Sequence, residues 1–190
     1  MQITHEWQNG PEILFIEGLD LSAQYNELRV LELALLDPEQ TGTATNPDGT
    51  IAKQNSGIYF HQIYTPQFAP CSPTTMMVDQ ILSQVKQMQF TPNSVFEAIH
   101  CANSFDVLFS AYKNGDHYKP HRDSSKLTMI AWVSGQDFDG GDLYLPDFDY
   151  TIPYRQNLAF IFPSYYVHQV TPISTDKNSF VRYCASAFIN

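Results

Sequence analysis

Three metal-ligating side chains stand out by type and spacing. His121 and Asp123 lie two apart in YKNGDHYKPHRD, residues 112–123, and in an extended segment residues i and i+2 face the same way. His168, in SYYVHQV after the apolar run LAFIFP, adds a third donor if two strands bring the segments together. Two imidazoles and one carboxylate on one face of an octahedral ion leave positions open, an arrangement suited to oxygen chemistry at Fe(II). A three-ligand zinc site draws on the same residue types, so the donors alone leave the metal open. A His-x-Asp pair by itself says little: six His and thirteen Asp in 190 residues give roughly 0.4 such pairs by chance, so the companions must carry the argument.

Arg182 is the first companion. It opens the apolar run VRYCASAFI, in which Arg182, Cys184, Ser186 and Phe188 share one face. A guanidinium on a buried strand needs an anion. That strand offers no acid, so a ligand carboxylate paired fork to fork suits it. Lys177 is the competing cation, but it sits among Asp, Asn and Ser in a stretch that reads as a solvated loop. His117, four before His121, would make a zinc-like pair on a helix, and Pro120 argues against a helix there; it is assigned to the solvent side or a pocket rim. His5, His61 and His100 read as structural, Cys184 as an inert buried thiol, and Asp137, Asp139, Asp142, Asp147 and Asp149 as loop charge, since they lack the order of a calcium loop.

The elements that must position these residues change character along the chain. ILFI at 13–16 is a short apolar run, after which Asp20 or Ser22 caps a helix reaching about Leu36, stopped by Asp37-Pro38. Residues 38–57, rich in Thr, Asn, Gly and Pro, predict a long loop or hairpin excursion. A second helix starts with Ser72 as cap and Pro73 in the first turn, and buries Met77, Val78, Ile81, Leu82, Val85 and Met88. A shorter helix follows Asn93-Ser94. From Phe105 the runs FDVLFSAY, LTMIAWV, DLYLP, NLAFIF and VRYCASAFI read as strands of an antiparallel sandwich or barrel. The expected fold is thus α+β, mainly β: residues 1–104 give helical support and the 38–57 loop, and residues 105–190 the β-core of one domain.

Composition sets outer bounds. At 43% hydrophobic and 16% charged, the 190 residues suit a single packed core. A net charge of −10 opposes nucleic-acid phosphate and anionic lipid as partners. Cys71, Cys101 and Cys184, an odd set without a CxxC spacing, read as buried thiols in a reducing compartment. The N-terminal residues lack a signal-peptide pattern and no run reaches membrane-spanning length, so a soluble, cytoplasmic protein is expected.

Taken in order, YKNGDHYKPHRD, LTMIAWV, FDGGDLYL, NLAFIFPSYYVHQVTPI and VRYCASAFI resemble the 2-oxoglutarate- and Fe(II)-dependent oxygenases, nearest their prolyl-4-hydroxylase-like branch, over roughly residues 105–189. The resemblance implies a double-stranded β-helix (jelly-roll, cupin-like) core. It implies that His121, Asp123 and His168 bind Fe(II), and that Arg182 pairs with the distal carboxylate of 2-oxoglutarate. It also implies that Tyr112 helps close the cosubstrate pocket, that Ser186 adds a hydrogen bond, and that Gly140-Gly141 leads into a strand whose Leu143 lines the pocket. Trp132 stands where relatives can present a tyrosine. The implied reaction uses O2, with ascorbate in support, and turns 2-oxoglutarate into succinate and CO2 while hydroxylating an unactivated C–H. A prolyl or other side chain of a peptide or protein is the leading substrate. A free amino acid or small metabolite is the alternative, and a non-catalytic β-barrel binding protein is the reading from another class.

Overall fold

Strands buried on both faces lose the polar alternation of a half-exposed strand, and the central strands of this chain are of that kind. The computed structural model describes residues 1–6, 10–35, 44–45, 49–135 and 137–190. Among them are strands β1 (Gln2–Glu6), β2 (Ile13–Glu17), β3 (Ala44–Thr45), β4 (Ile51–Gln54), β5 (Ser56–Tyr59), β6 (Phe105–Tyr112), β7 (His117–His121), β8 (Leu127–Trp132), β9 (Leu143–Leu145), β10 (Tyr150–Ile152), β11 (Leu158–Pro163), β12 (His168–Val170) and β13 (Arg182–Ile189). They form two antiparallel sheets, a larger one ordered β1-β2-β11-β8-β13-β6-β5 and a smaller one ordered β10-β9-β12-β7-β4-β3. The result is the mainly β, cupin-like double-stranded β-helix with N-terminal helices that the resemblance implied.

The larger sheet separates two apolar layers. Tyr183, Ala185, Ala187 and Ile189 of β13 point, with Phe109 and Met129, to helices α1 (Ser22–Leu35) and α3 (Pro73–Val85), between which the chain forms the short α2 (Phe60–Ile63). Their neighbours Arg182, Cys184, Ser186 and Phe188 line the space between the sheets. α3 forms where the sequence marks it: the Ser72 side chain accepts from the Thr75 N–H at 3.1 Å, Pro73 fills the first turn, and Met77, Val78, Ile81, Leu82 and Val85 are buried. Glu27 of α1 ties the two helices, accepting from the Thr74 N–H at 2.9 Å and its hydroxyl at 2.6 Å.

Three expectations change, and a fourth, the 38–57 excursion, is sharpened. The ILFI run is β2, paired with β11 (Ile16 opposite Ala159), so the N-terminal part contributes strands as well as helices; its partner lies about 145 residues on, beyond any local signal. The helix after Ser94 is 3₁₀, Val95–Cys101, with the Ser94 hydroxyl accepting from the Phe96 N–H. Cys71 and Cys101 are exposed and only Cys184 is buried, because the first two end short 3₁₀ turns whose last residues face solvent. Within 38–57, residues 38–43 and 46–48 lie outside the described residues. The described part holds the β3–β4 hairpin and β5, so the excursion crosses from the smaller sheet to the larger one. Leu36 and the stop at Asp37-Pro38 also lie outside the described residues.

Candidate active site

β7 and β12 are antiparallel neighbours with His121 opposite His168, and Asp123 follows just beyond the end of β7. Pro120 sits within β7, so His117 and His121 never form a helical pair; the His117 Nδ1 lies 3.1 Å from the Gly115 carbonyl and its side chain stays outside the cavity. One donor atom from each of His121, Asp123 and His168 falls within 4.8 Å of the others, the one such His/Cys/Asp/Glu group among the described residues.

Each imidazole is oriented by its own backbone. Nδ1 of His121 lies 2.9 Å from the Lys119 carbonyl and Nδ1 of His168 lies 3.0 Å from the Tyr166 carbonyl. A carbonyl only accepts, so both Nδ1 atoms carry the proton and both Nε2 atoms present lone pairs. Those lone pairs face Asp123, at 3.8 Å from Oδ1 and 3.5 Å from Oδ2. Burial, reinforced by His168, pushes His121 down to about 4, and burial lowers His168 as well, so both rings are neutral at neutral pH. Two neutral lone pairs turned on a carboxylate repel unless a cation stands between them, so this donor set fits a divalent metal. The Thr128 hydroxyl donates to Asp123 Oδ2 at 2.6 Å and fixes the carboxylate from behind.

The triad opens on a cavity of about 470 Å³ between the sheets. Cross-strand register builds its walls. On the smaller sheet the row Lys53, Tyr118, Val170, Leu143 runs through β4, β7, β12 and β9. On the larger sheet β6 and β13 pair Tyr112 with Arg182, Ser110 with Cys184 and Leu108 with Ser186. All ten of these residues line the cavity, Tyr112, Ser186 and Leu143 among them.

Arg182 is 1% exposed. Its Nε donates to the Gly141 carbonyl at 3.0 Å, its Nη1 lies 3.5 Å from Cys184 Sγ, and Tyr112, Tyr154 and Trp132 surround the guanidinium at 4.5, 5.5 and 5.8 Å from their ring centroids. It forms no ion pair among the described residues. A buried guanidinium held only by neutral groups fits a carboxylate ligand. The glycine pair makes its place: Gly141 has φ +73°, and a Cβ there would fall 2.8 Å from Arg182 Cδ and 2.6 Å from Ile173 Cδ1. Lys177 instead pairs with Asp137 at 2.6 Å on the surface. Trp132 Nε1 is buried without a hydrogen-bond partner among the described residues.

The acidic loop residues have separate local tasks: Asp142 accepts from the Tyr154 N–H, Asp149 from the Tyr144 hydroxyl, and Asp147 lies 3.8 Å from Arg122. Three features in or beside the cavity escaped the sequence reading. Lys53 lies within the stretch expected as a loop. Asn55 stands beside the Tyr112 phenol, and neither amide atom has a partner at hydrogen-bond geometry among the described residues. His61, expected to be structural, sits at the rim with Nδ1 2.8 Å from Asp106 and its ring stacked on Tyr59. The alternation of Lys53 with Gly57 and Tyr59 was the available signal; the turn-rich composition around it hid the strands.

The family model described as the 2OG-Fe(II) oxygenase superfamily matches residues 107–190, a span that contains the triad, Tyr112, Arg182 and Ser186. Among solved structures, the chain is similar to a prolyl-4-hydroxylase of Pseudomonas putida, with a TM-score of 0.61 at 18% identity over 94% of this chain and 91% of that one. It is also similar to the viral collagen prolyl hydroxylase vCPH of Paramecium Bursaria Chlorella virus-1, solved as its 2OG complex, with a TM-score of 0.57 at 15% identity over 93% and 94%. IDO from Bacillus thuringiensis gives 0.56 at 12% over 94% and 90%. At these identities the likeness is one of fold. No curated protein matches the chain by sequence.

Proposed function

We propose that this chain, whose residues 107–190 match the 2OG-Fe(II) oxygenase superfamily model, hydroxylates an unactivated C–H on a prolyl or other side chain of a peptide or protein. In this reading His121, Asp123 and His168 hold Fe(II), and Arg182 takes the distal carboxylate of 2-oxoglutarate. One observation carries it: three convergent donors and a buried guanidinium without an anion share one cavity. When bound, iron and 2-oxoglutarate together supply the oxidising power of O2, with succinate and CO2 as coproducts. The protein's share is orientation. Backbone carbonyls keep both imidazoles in the ligating tautomer, and the Thr128 hydroxyl holds the carboxylate. Leu143 and Val170 from the smaller sheet and Ile130 from the larger one give the cavity apolar walls. The named activity of the prolyl hydroxylases sharing this fold supports proline as the first residue to test, and the aromatic Tyr59, Tyr118 and Phe188 suit an apolar ring.

A free amino acid or small metabolite remains the second reading, favoured by the charge of Lys53 inside the cavity. The test is Fe(II)- and ascorbate-supported succinate release from 2-oxoglutarate, native chain against His121→Ala, with mass spectrometry of peptides and free amino acids for the gain of one oxygen. Absence of iron-dependent turnover with every candidate would overturn the oxygenase reading; oxygen gain confined to free metabolites would overturn the peptide reading.

A further inference from the structure

Arg182 and the triad account for the iron and the cosubstrate, and Lys53 is then left over. β4 delivers it to the cavity as the register partner of Tyr118, whose ring stacks on the His121 imidazole with centroids 3.5 Å apart. Lys53 Nζ stands 5.6 Å from the Tyr118 ring centroid. Those two distances together keep Nζ within about 9 Å of the His121 ring. The ammonium lies over Gly57, where a Cβ would come within 3.5 Å of it. No carboxylate among the described residues lies within 4.0 Å of Nζ. The other cavity cation near the rim, Arg122, is engaged with the Tyr165 carbonyl at 2.8 Å and with Asp147.

Charge balance says what is missing. A divalent ion held by one carboxylate and two neutral imidazoles, with a dicarboxylate paired at Arg182, is neutral as a set. The ammonium of Lys53 stays uncompensated in a largely desolvated position, which is unfavourable until an anion arrives. We propose that Lys53 anchors a carboxylate of the molecule to be oxidised, so that the substrate class is a carboxylate-bearing compound whose reactive carbon lies a few bonds from that group. The proposal deepens the oxygenase reading and rests on it. A charge-assisted N–H···O contact spans about 2.8 Å, which leaves at most about 6 Å toward His121, the reach of roughly four carbon–carbon bonds. The β, γ and δ carbons of an α-amino acid fall within it, whether the acid is free or forms the C-terminal residue of a peptide.

The experiment offers the iron-loaded protein free L-amino acids including proline, N-acetyl dipeptides ending in the same residues, and the methyl ester of each. It reads succinate release above the substrate-free rate together with the gain of one oxygen. Acids stimulate turnover and esters do not; the free and dipeptide arms separate the two sources of the carboxylate. Lys53→Met raises the KM of the best acid roughly 10- to 150-fold, with a much smaller change in kcat and less than a twofold change in the KM for 2-oxoglutarate. Lys53→Arg, which keeps the charge, retains part of the affinity and controls for misfolding. A readout independent of turnover is acylation of Nζ by an amine-reactive reagent, followed by mass spectrometry, which the acid slows and its ester does not. Esters that stimulate as well as acids, a lack of stimulation by every acid while 2-oxoglutarate is still consumed, or a Lys53→Met effect that falls on 2-oxoglutarate each overturns the anchor and leaves the oxygenase reading standing. A native chain without any iron-dependent consumption of 2-oxoglutarate fails that underlying reading and takes the anchor with it.

Discussion

Arg182→Met separates function from stability at one position. The guanidinium is 1% exposed and held by a backbone carbonyl, a thiol and three aromatic faces, none of which carries a full negative charge. Each cation–π contact returns about 0.5–2 kcal/mol, against a desolvation penalty of several kcal/mol. Methionine keeps the apolar stem and removes the charge. Replacing buried charge by apolar volume is neutral or stabilising by about 1–4 kcal/mol, and at this chain length each kcal/mol moves Tm by about 2–4 °C. The ligand-free variant should therefore melt at or above the native temperature. Its 2-oxoglutarate requirement should rise, because a charge-assisted pair is worth about 1.5–3 kcal/mol, or roughly 10- to 150-fold. Thermal unfolding with Fe(II), anaerobically, with and without 2-oxoglutarate, measures both: the native chain gains stability from the cosubstrate and the variant loses that gain. A variant that is still stabilised by 2-oxoglutarate at native concentrations would refute the assignment. A large fall in ligand-free Tm would refute the claim that the charge is uncompensated.

Thr128→Val removes the hydroxyl that donates to Asp123 at 2.6 Å and should weaken iron binding about 10–100-fold with little change in Tm, read by metal titration; unchanged affinity would mean that Asp123 is oriented without it. Gly141→Ala places a Cβ 2.8 Å from Arg182 Cδ at φ +73° and should cost about 1–3 kcal/mol in denaturant unfolding while raising the KM for 2-oxoglutarate; a neutral outcome would mean that the turn relaxes freely. In the metal-free chain His121 is held down at about 4 and His168 is lowered too, so below about 6.5 the unfolded chain binds protons that the folded chain refuses. Stability is then full above pH 6.5 and falls as the pH drops toward 4, by a few kcal/mol at most, in urea titrations with chelator; His121→Gln flattens the slope, and stability that rises on acidification contradicts the neutral-imidazole argument.

What could be read in advance was what local chemistry encodes. Ser72-Pro73 marks a helix start because a hydroxyl satisfies a free N–H and proline has none to lose, and Pro120 removes the helical reading of His117 and His121. Strands such as LTMIAWV show as apolar runs because both faces are covered. What could not be read was pairing at a distance. ILFI becomes a strand because β11 accepts it, and the 51–59 stretch becomes two because one end pairs with β7 and the other with β6. Nothing within either segment names its partner, and the Gly, Asn and Thr around the second one argue locally for a turn.

The same distinction divides the site. Arg182 declares itself because it is anomalous where it stands, a guanidinium in an otherwise apolar strand, whereas His121 and Asp123, a pair that chance alone could supply, gain their meaning from His168 and Arg182. Lys53 is anomalous only after folding. In sequence it is an ordinary lysine beside polar neighbours, and the chain's net charge of −10 suggests a surface on which any cation finds an acid. Yet register carries it to the side of the cavity where Tyr118 covers His121, while the two acids that line the cavity among the described residues are already engaged, Asp123 by Thr128 and Asp106 by His61. Composition averages over the surface, whereas recognition depends on the few charges that the fold keeps apart from their counterions. Among the described residues that line this cavity those are Arg182, which starts β13 of the larger sheet, and Lys53, on β4 of the smaller one, so a ligand set that brings one carboxylate to each supplies the anions that the described part of the cavity lacks.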